Sequence, residues 1–256
     1  MEGVEERAAE IVERRPAGIA VTHSEFPDVY SLNFFRADPS RAPRSARELA
    51  GIAEEIQSVH GLRHRRVLVN DGSLGAALVP GFQELGWAID RLVVMALRQP
   101  VLAPSAAPAV ELAEERIAEA RRRYYAWRTG PGSAGLTEKV VDQLIRARTV
   151  TAAKAVKVRN YAALADGQIA SFCDLYSDGT VAQIEDVGTI EPFRKRGLSR
   201  AVVQKAVEVS LAEGHQLIFL VADAEDWPKD FYLRLGFEPL GDIYEFTLLP
   251  DSSARA

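Results

Sequence analysis

The spacing of apolar positions along this chain changes period several times, and each period predicts an element. Residues 2–15 carry Val4, Ala8, Ile11 and Val12 along one side of a charged segment, which predicts a helix. Residues 18–23 and 28–35 alternate or run apolar and predict strands, followed by a Pro- and Arg-rich loop to about residue 45. An amphipathic helix is expected over 46–60, a buried strand over 65–70, a helix over 75–86 with Pro80 as its weak point, and a strand over 88–97.

The segment "RQPVLAPSAAPAV" (98–110) has no apolar period and reads as a boundary, so domains are expected at 1–105 and 106–256. A long helix is expected over about 110–127. "GPGSAG" (130–135) breaks it, and Thr137 can cap a second helix to about 149. Three consecutive strands follow, with turn signals at Asp166-Gly167 and Asp178-Gly179. Helix 198–212 turns Leu198, Val202, Ala206, Val207 and Leu211 one way. A strand at 216–223, a short helix at 226–236 and a strand pair at 237–249 close the chain.

Sliding the sequence by 150 residues aligns its two halves. Helix 46–60 then falls on helix 198–212, and Leu85-Gly86-Trp87 falls on Leu235-Gly236-Phe237. That pattern reads as a tandem duplication whose copies have diverged.

Composition narrows the chemistry. The 256 residues are 47% hydrophobic and 26% charged, ordinary for a globular protein, with a formal net charge of -5. Nothing global points to nucleic acid, so any phosphate-seeking charge must be local. The single cysteine, Cys173, excludes an intramolecular disulfide framework and fits a reducing, cytoplasmic setting. No window reaches the roughly 18 apolar residues that span a membrane, and the acidic amino terminus lacks the apolar core of a signal peptide.

Local phosphate-seeking charge does occur, in "TIEPFRKRGLSRAVV" (189–203). A strand runs through Glu191-Pro192-Phe193 into Arg194-Lys195-Arg196-Gly197-Leu198-Ser199 and then a helix. A helix start leaves backbone N–H groups unpaired and partly positive, a setting that attracts phosphate. Gly197 lets the backbone approach a ligand oxygen, and Ser199 is small. The segment is neither a Walker loop nor a three-glycine dinucleotide fingerprint. Its pattern is Arg-x-x-Gly-x-small.

That pattern, between a strand and a helix, resembles the acyl-CoA pyrophosphate signature of the GNAT acyltransferase superfamily. "FYLRLGFEPLG" (231–241) resembles the family's L-Y-x-x-x-G-F segment, and the element order over about 110–250 is similar to the family's. Ser199 departs from the usual Gly or Ala. The resemblance implies a tandem acyl-CoA N-acyltransferase fold, α/β, with a mixed central sheet flanked by helices. It implies an N-acetyltransferase that uses acetyl-CoA as co-substrate and binds no metal.

By the same resemblance, the amides of Lys195, Arg196, Gly197, Leu198 and Ser199 hold the pyrophosphate, and Arg194 shapes the turn. Val187, Gly188 and Thr189 pair with the pantetheine, in a gap where two strands splay apart. Tyr232 protonates the leaving thiolate. Glu185 is the expected base, with water as an alternative; strand alternation puts Glu185 and Asp186 on opposite faces. The implied partners are a small-molecule amine and at most a second copy of the chain, with no nucleic acid and no membrane. A CoA-binding sensor without turnover, or a tandem aminoacyl-transferase, stays open as an alternative.

Plainer readings stand beside these. Tyr232 can be a core aromatic, either carboxylate can be structural, and Arg194–Arg196 can be a solvated charge run. Cys173 reads as a small buried apolar residue. The four histidines show no metal spacing and read as surface or capping residues. "RRRYYAWR" (121–128) reads as a helix face with core aromatics. In the first half, the offset places Arg44, Arg47 and Leu49 over Arg194, Gly197 and Ser199, and Phe82 over Tyr232, so that copy keeps the frame and lacks the site.

Overall fold

The computed structural model describes residues 3–42, 45–101, 108–128, 137–154 and 156–249. Arg44 and the segments 102–107 and 130–135 therefore lie outside the described residues. The chain forms two compact units, each discontinuous in sequence. One contains Met95–Val221 and Asp230–Pro239; the other contains Glu5–Val94, Ala222–Lys229 and the chain from Leu240 onward. They are called unit one and unit two below.

The chain begins with α1 (Val4–Ala8), whose residues from Glu5 on belong to unit two, followed there by β1 (Ile11–Arg15) and β2 (Gly18–Thr22). The helix expected over residues 2–15 is thus one short turn and then a strand. Val4 and Ala8 are buried, but Ile11 and Val12 are about two-fifths exposed. The reason is a tertiary partner: Ile11–Arg15 pairs antiparallel with Gly18–Thr22 across Pro16-Ala17, and Pro16 blocks a continuing helix.

The strand expected at 28–35 is also shifted, to β3 (Phe34–Ala37). Tyr30–Leu32 forms a single 3-10 turn before it. The buried Asn33 amide donates to the carbonyls of Phe26 (2.7 Å) and Val29 (2.9 Å), while its oxygen accepts from the His23 amide. Those bonds hold the chain bent where alternation alone predicts extension.

Then come α2 (Ala46–Val59), β4 (Arg65–Val69), α3 (Gly72–Glu84) and β5 (Ala88–Leu97). Asp71 caps α3 by accepting from the Leu74 amide at 2.7 Å, and Pro80 is accommodated inside the helix. In the core of this unit Phe35, Leu49, Val67, Val69, Leu78 and Phe82 are all at most 1% exposed.

Unit one takes β6 (Ala109–Leu112), α4 (Glu114–Arg128), α5 (Glu138–Lys154), β7 (Lys157–Ala165), β8 (Gln168–Ser177), β9 (Val181–Thr189) and α6 (Leu198–Ala212). β10 (Leu217–Asp223), α7 (Pro228–Leu233) and β11 (Phe237–Leu248) complete the chain. The start of the helix expected from 110 is instead β6, whose residues pair with Asn160–Ala163. Thr137 does cap α5, accepting from the Val140 amide at 3.3 Å. On α6, Leu198, Val202, Ala206 and Val207 are buried as expected, but Leu211 is 44% exposed.

The strands β6, β7, β8 and β9 form an antiparallel meander, and β10 adds parallel to β9. The β7–β8 turn uses Asp166 and Gly167, both at positive φ, as a two-residue hairpin requires. The expected strand pair at 237–249 is one continuous strand. Its first three residues belong to unit one. Tyr244–Leu248 pairs antiparallel with Val69–Arg65 of unit two. There Phe246 stacks on Phe82 at 4.1 Å.

The histidines also differ from expectation. His23, His64 and His215 are buried, and His60 is the one that pairs at the surface, with Glu13 at 2.8 Å. His64 bonds the Asn33 carbonyl, and His215 bridges Ser177 and the Ser210 carbonyl.

Candidate active site in unit one

Every candidate side chain lies in unit one. The turn between β9 and α6 starts with a 3-10 turn over Glu191–Phe193. Phe193 is buried and anchors the turn. Lys195 and Gly197 both have left-handed backbone, at φ 61 and φ 78. Such a conformation costs a non-glycine residue about 1–2 kcal/mol. Alternating hands of this kind point successive N–H groups toward one concavity that suits an anion.

The first hydrogen bond of α6 runs from the Ala201 amide to the Gly197 carbonyl. Among the described residues, the amides of Lys195, Arg196, Gly197, Leu198 and Ser199 donate to no backbone acceptor. A Cβ at Gly197 would meet nothing within 4 Å, so the space over the turn is open. Arg196 stacks over Phe193 and reaches Asp166 at 3.4 Å, and Arg194 Nε donates to the Thr189 carbonyl at 3.4 Å.

The turn is tied to the end of β9 by hydroxyls. Ser199 Oγ lies 2.6 Å from Thr189 Oγ1, which lies 2.9 Å from Ser171 Oγ. Ser171 Oγ donates to the Gly188 carbonyl at 2.8 Å. Gly188 is a steric necessity, since a Cβ there would sit 2.6 Å from Phe172 Cζ.

β9 and β10 pair from Val181↔Leu217 to Ile184↔Leu220 and no further. Beyond Ile184, β9 continues through Val187, Gly188 and Thr189, held on its other side by Phe172 and Ser171 of β8. The backbone of 185–189 therefore has an edge not taken by β10, and the strands part where the resemblance expects a gap.

The register of β8 against β9 shifts between Phe172 and Asp174, and Asp186 has φ 50. This bulge overturns the expected alternation of Glu185 and Asp186. Glu185 lies directly opposite Asp174, and opposed residues share a face of the sheet. Asp174 and Asp186 are both bound by Arg121 and Arg148. Both carboxylates of the pair therefore lie on the face covered by α4 and α5.

Asp186 is fully engaged in that network. It pairs with Arg121 and with Arg148 (3.3 Å), and accepts from Tyr125 Oη at 2.8 Å. Arg121, with no exposure, also binds Asp174 and Glu114 and lies 4.9 Å from the Phe172 ring centre. Burial alone would lower the Arg121 guanidinium; Asp186 and Glu114 outweigh it and hold it above its usual range.

The sequence reading of "RRRYYAWR" missed this role for Arg121. The signal was present: Ile117, Arg121 and Tyr125 recur at four-residue spacing, which puts Arg121 on the buried stripe of α4.

Glu185 is half-buried, and its carboxylate accepts from the Gln183 side chain. Tyr232, at 7% exposure, packs against Phe231 and Phe237 and lies within electrostatic reach of Cys173, Glu185 and Tyr124. Burial first, then those neighbours, push its phenol well above the ordinary tyrosine range, so it holds its proton. Cys173 is wholly buried on the other face, its thiol donating to the Val202 carbonyl at 3.4 Å, and burial pushes that thiol up. It is an inert packing residue. No group of His, Cys, Asp and Glu suited to a metal occurs among the described residues.

In unit two, Leu49 and Phe82 are wholly buried in the core, and Ser45 before α2 is extended rather than left-handed.

No curated protein matches the sequence. Among solved structures, a functionally unknown conserved protein from Staphylococcus epidermidis is 15% identical with a TM-score of 0.68, covering 93% of each chain. A GCN5-related N-acetyltransferase from Kribbella flavida is 19% identical with a TM-score of 0.62, covering 96% of this chain and 91% of that one. A tandem GNAT protein from the clavulanic acid biosynthesis pathway is 17% identical with a TM-score of 0.53, covering 85% and 75%. At these identities the likeness shows a shared fold. Residues 116–237, which hold the turn, the parted strands and Tyr232, match the sequence model of the Acetyltransferase (GNAT) family, so this segment is a GNAT-family domain.

Proposed function

We propose that this protein transfers an acetyl group from acetyl-CoA to a primary amine of a small molecule, at the site in unit one. The observation that carries the reading is the turn at Lys195–Ser199, where five backbone amides lack an acceptor beside a left-handed glycine with open space above it. Those amides suit the pyrophosphate of CoA. The free edge of β9 at Val187–Thr189 suits the amides of pantetheine, which would add to the sheet like a strand.

In the reaction, the amine nitrogen attacks the thioester carbon, forming a C–N bond as the C–S bond breaks. Tyr232 supplies a proton to the leaving thiolate. A phenol is protonated at neutral pH, and the buried position of this one favours transfer within the site rather than exchange with bulk water. Glu185 takes the proton lost by the amine, directly or through a water; Asp186, saturated by two arginines and a tyrosine, stays a structural carboxylate. The net negative charge favours a cationic acceptor.

Calorimetric titration with acetyl-CoA, CoA and NADH tests the donor. Acetyl-CoA and CoA binding once per chain, with NADH silent, is the expected result. An amine panel with colorimetric detection of released thiol then tests transfer. Binding without thiol release for any amine would leave a CoA-binding protein and remove the catalytic reading.

A further inference from the structure

The hydroxyls of Ser199, Thr189 and Ser171 form a chain whose direction is set by its far end. The Gly188 carbonyl can only accept, so Ser171 spends its one hydrogen there. Ser171 must then accept from Thr189, and Thr189 from Ser199. Ser171 is wholly buried, so no solvent competes for its hydrogen. Each hydroxyl hydrogen therefore points from the turn toward the strand, and the Ser199 hydrogen faces away from any anion over the five free amides.

We infer that Ser199 is a positioning residue: it holds the start of α6 to the end of β9 and does not donate its own hydroxyl hydrogen to the bound phosphate. The turn is held at two points on one residue, since Arg194 Nε grips the Thr189 carbonyl while Ser199 grips its side chain. Thr189 thus joins the phosphate cradle to the strand segment assigned to pantetheine, so the spacing of the two halves of the ligand is set by one residue. This rests on the acyl-CoA reading of the site.

A double-mutant cycle on the full chain decides the matter. Acetyl-CoA affinity is measured by calorimetry for wild type, Ser199→Ala, Thr189→Val and the double variant, with melting temperatures alongside. Loss of one hydrogen bond predicts a drop of about fivefold for each single variant. In a relay, the double variant is no weaker than the singles, because either change already breaks the link. In a Thr189→Ser background, which keeps the hydroxyl, Ser199→Ala again costs the full factor. If Thr189→Val fails to fold, Thr189→Ala completes the same cycle. Losses that multiply to about 25-fold would mean that Ser199 donates to the ligand independently, and the inference falls; an unaltered affinity in Ser199→Ala also overturns it. A wild-type protein that binds no acetyl-CoA overturns the functional reading itself, and is distinct from both.

Discussion

Tyr125 of α4 donates its phenol to Asp186 of β9 at 2.8 Å, across 61 residues of sequence. That bond sits beside Arg121 and Arg148, so the bulged residue of β9 is locked to both helices on its face. The locked residue lies two positions beyond Ile184, the last residue of β9 that pairs with β10.

Removing one partner of such a network strands the others in a dry interior. Arg121→Met should destabilise unit one by about 3–5 kcal/mol, because the wholly buried Asp174 loses one of its two arginines and must share Arg148 with Asp186. Tyr125→Phe should cost only about 1 kcal/mol, the worth of one hydrogen bond. Urea titrations of the two variants check the difference; equal small losses would show that the charges carry little.

Gly197→Glu should remove acetyl-CoA binding and leave the fold in place. A Cβ at this position meets no atom within 4 Å, so the side chain starts into open space. Its cost to the fold is the left-handed backbone, about 1–2 kcal/mol. Its carboxylate, however, would face the pyrophosphate, and like charges so placed cost several kcal/mol. Calorimetry with a melting curve separates the two effects. A folded variant with wild-type affinity would put the cradle elsewhere.

Tyr232→Phe should lower kcat by roughly 10²–10⁴-fold at little change in acetyl-CoA affinity, since only a positioned proton is lost. The ring still packs against Phe231 and Phe237. Steady-state kinetics with any accepted amine measures it, and an unchanged kcat returns Tyr232 to the core.

Gly188→Ala should destabilise by about 1–3 kcal/mol through overpacking, because its Cβ would press into the Phe172 ring. Adding Phe172→Leu should recover most of that loss. Denaturant midpoints for the single and double variants check this; no recovery would place the strain in the backbone instead.

Unit two should weaken on acidification through His64. Burial first, then Arg66 and Arg65, hold this histidine down at about 4, while its ring nitrogen bonds the Asn33 carbonyl. The unfolded chain binds the proton more readily, so the contribution is intact above about pH 6.5 and is lost as pH falls toward 4, by about 3 kcal/mol in all. His64→Gln should flatten that slope in a pH series of urea midpoints. An unchanged slope would assign the acid sensitivity to other groups.

By itself the sequence determined the helices and strands whose apolar period is long and unopposed, such as α2, α6 and β7 to β9. It also determined the candidate cradle, because a turn of this kind is local: a glycine free to turn left-handed, a proline-bearing turn before it and a helix after it are read within a dozen residues. Tertiary structure decided what depended on distant partners. Ile11–Arg15 became a strand because Gly18–Thr22 pairs with it, β6 displaced a helical start because β7 offered an edge, and the last strand ran unbroken to reach β4. The roles of the two adjacent carboxylates were decided the same way. Strand alternation is a local rule, and the bulge that breaks it at Asp186 is stabilised by Arg121, Arg148 and Tyr125, groups that only folding brings within reach.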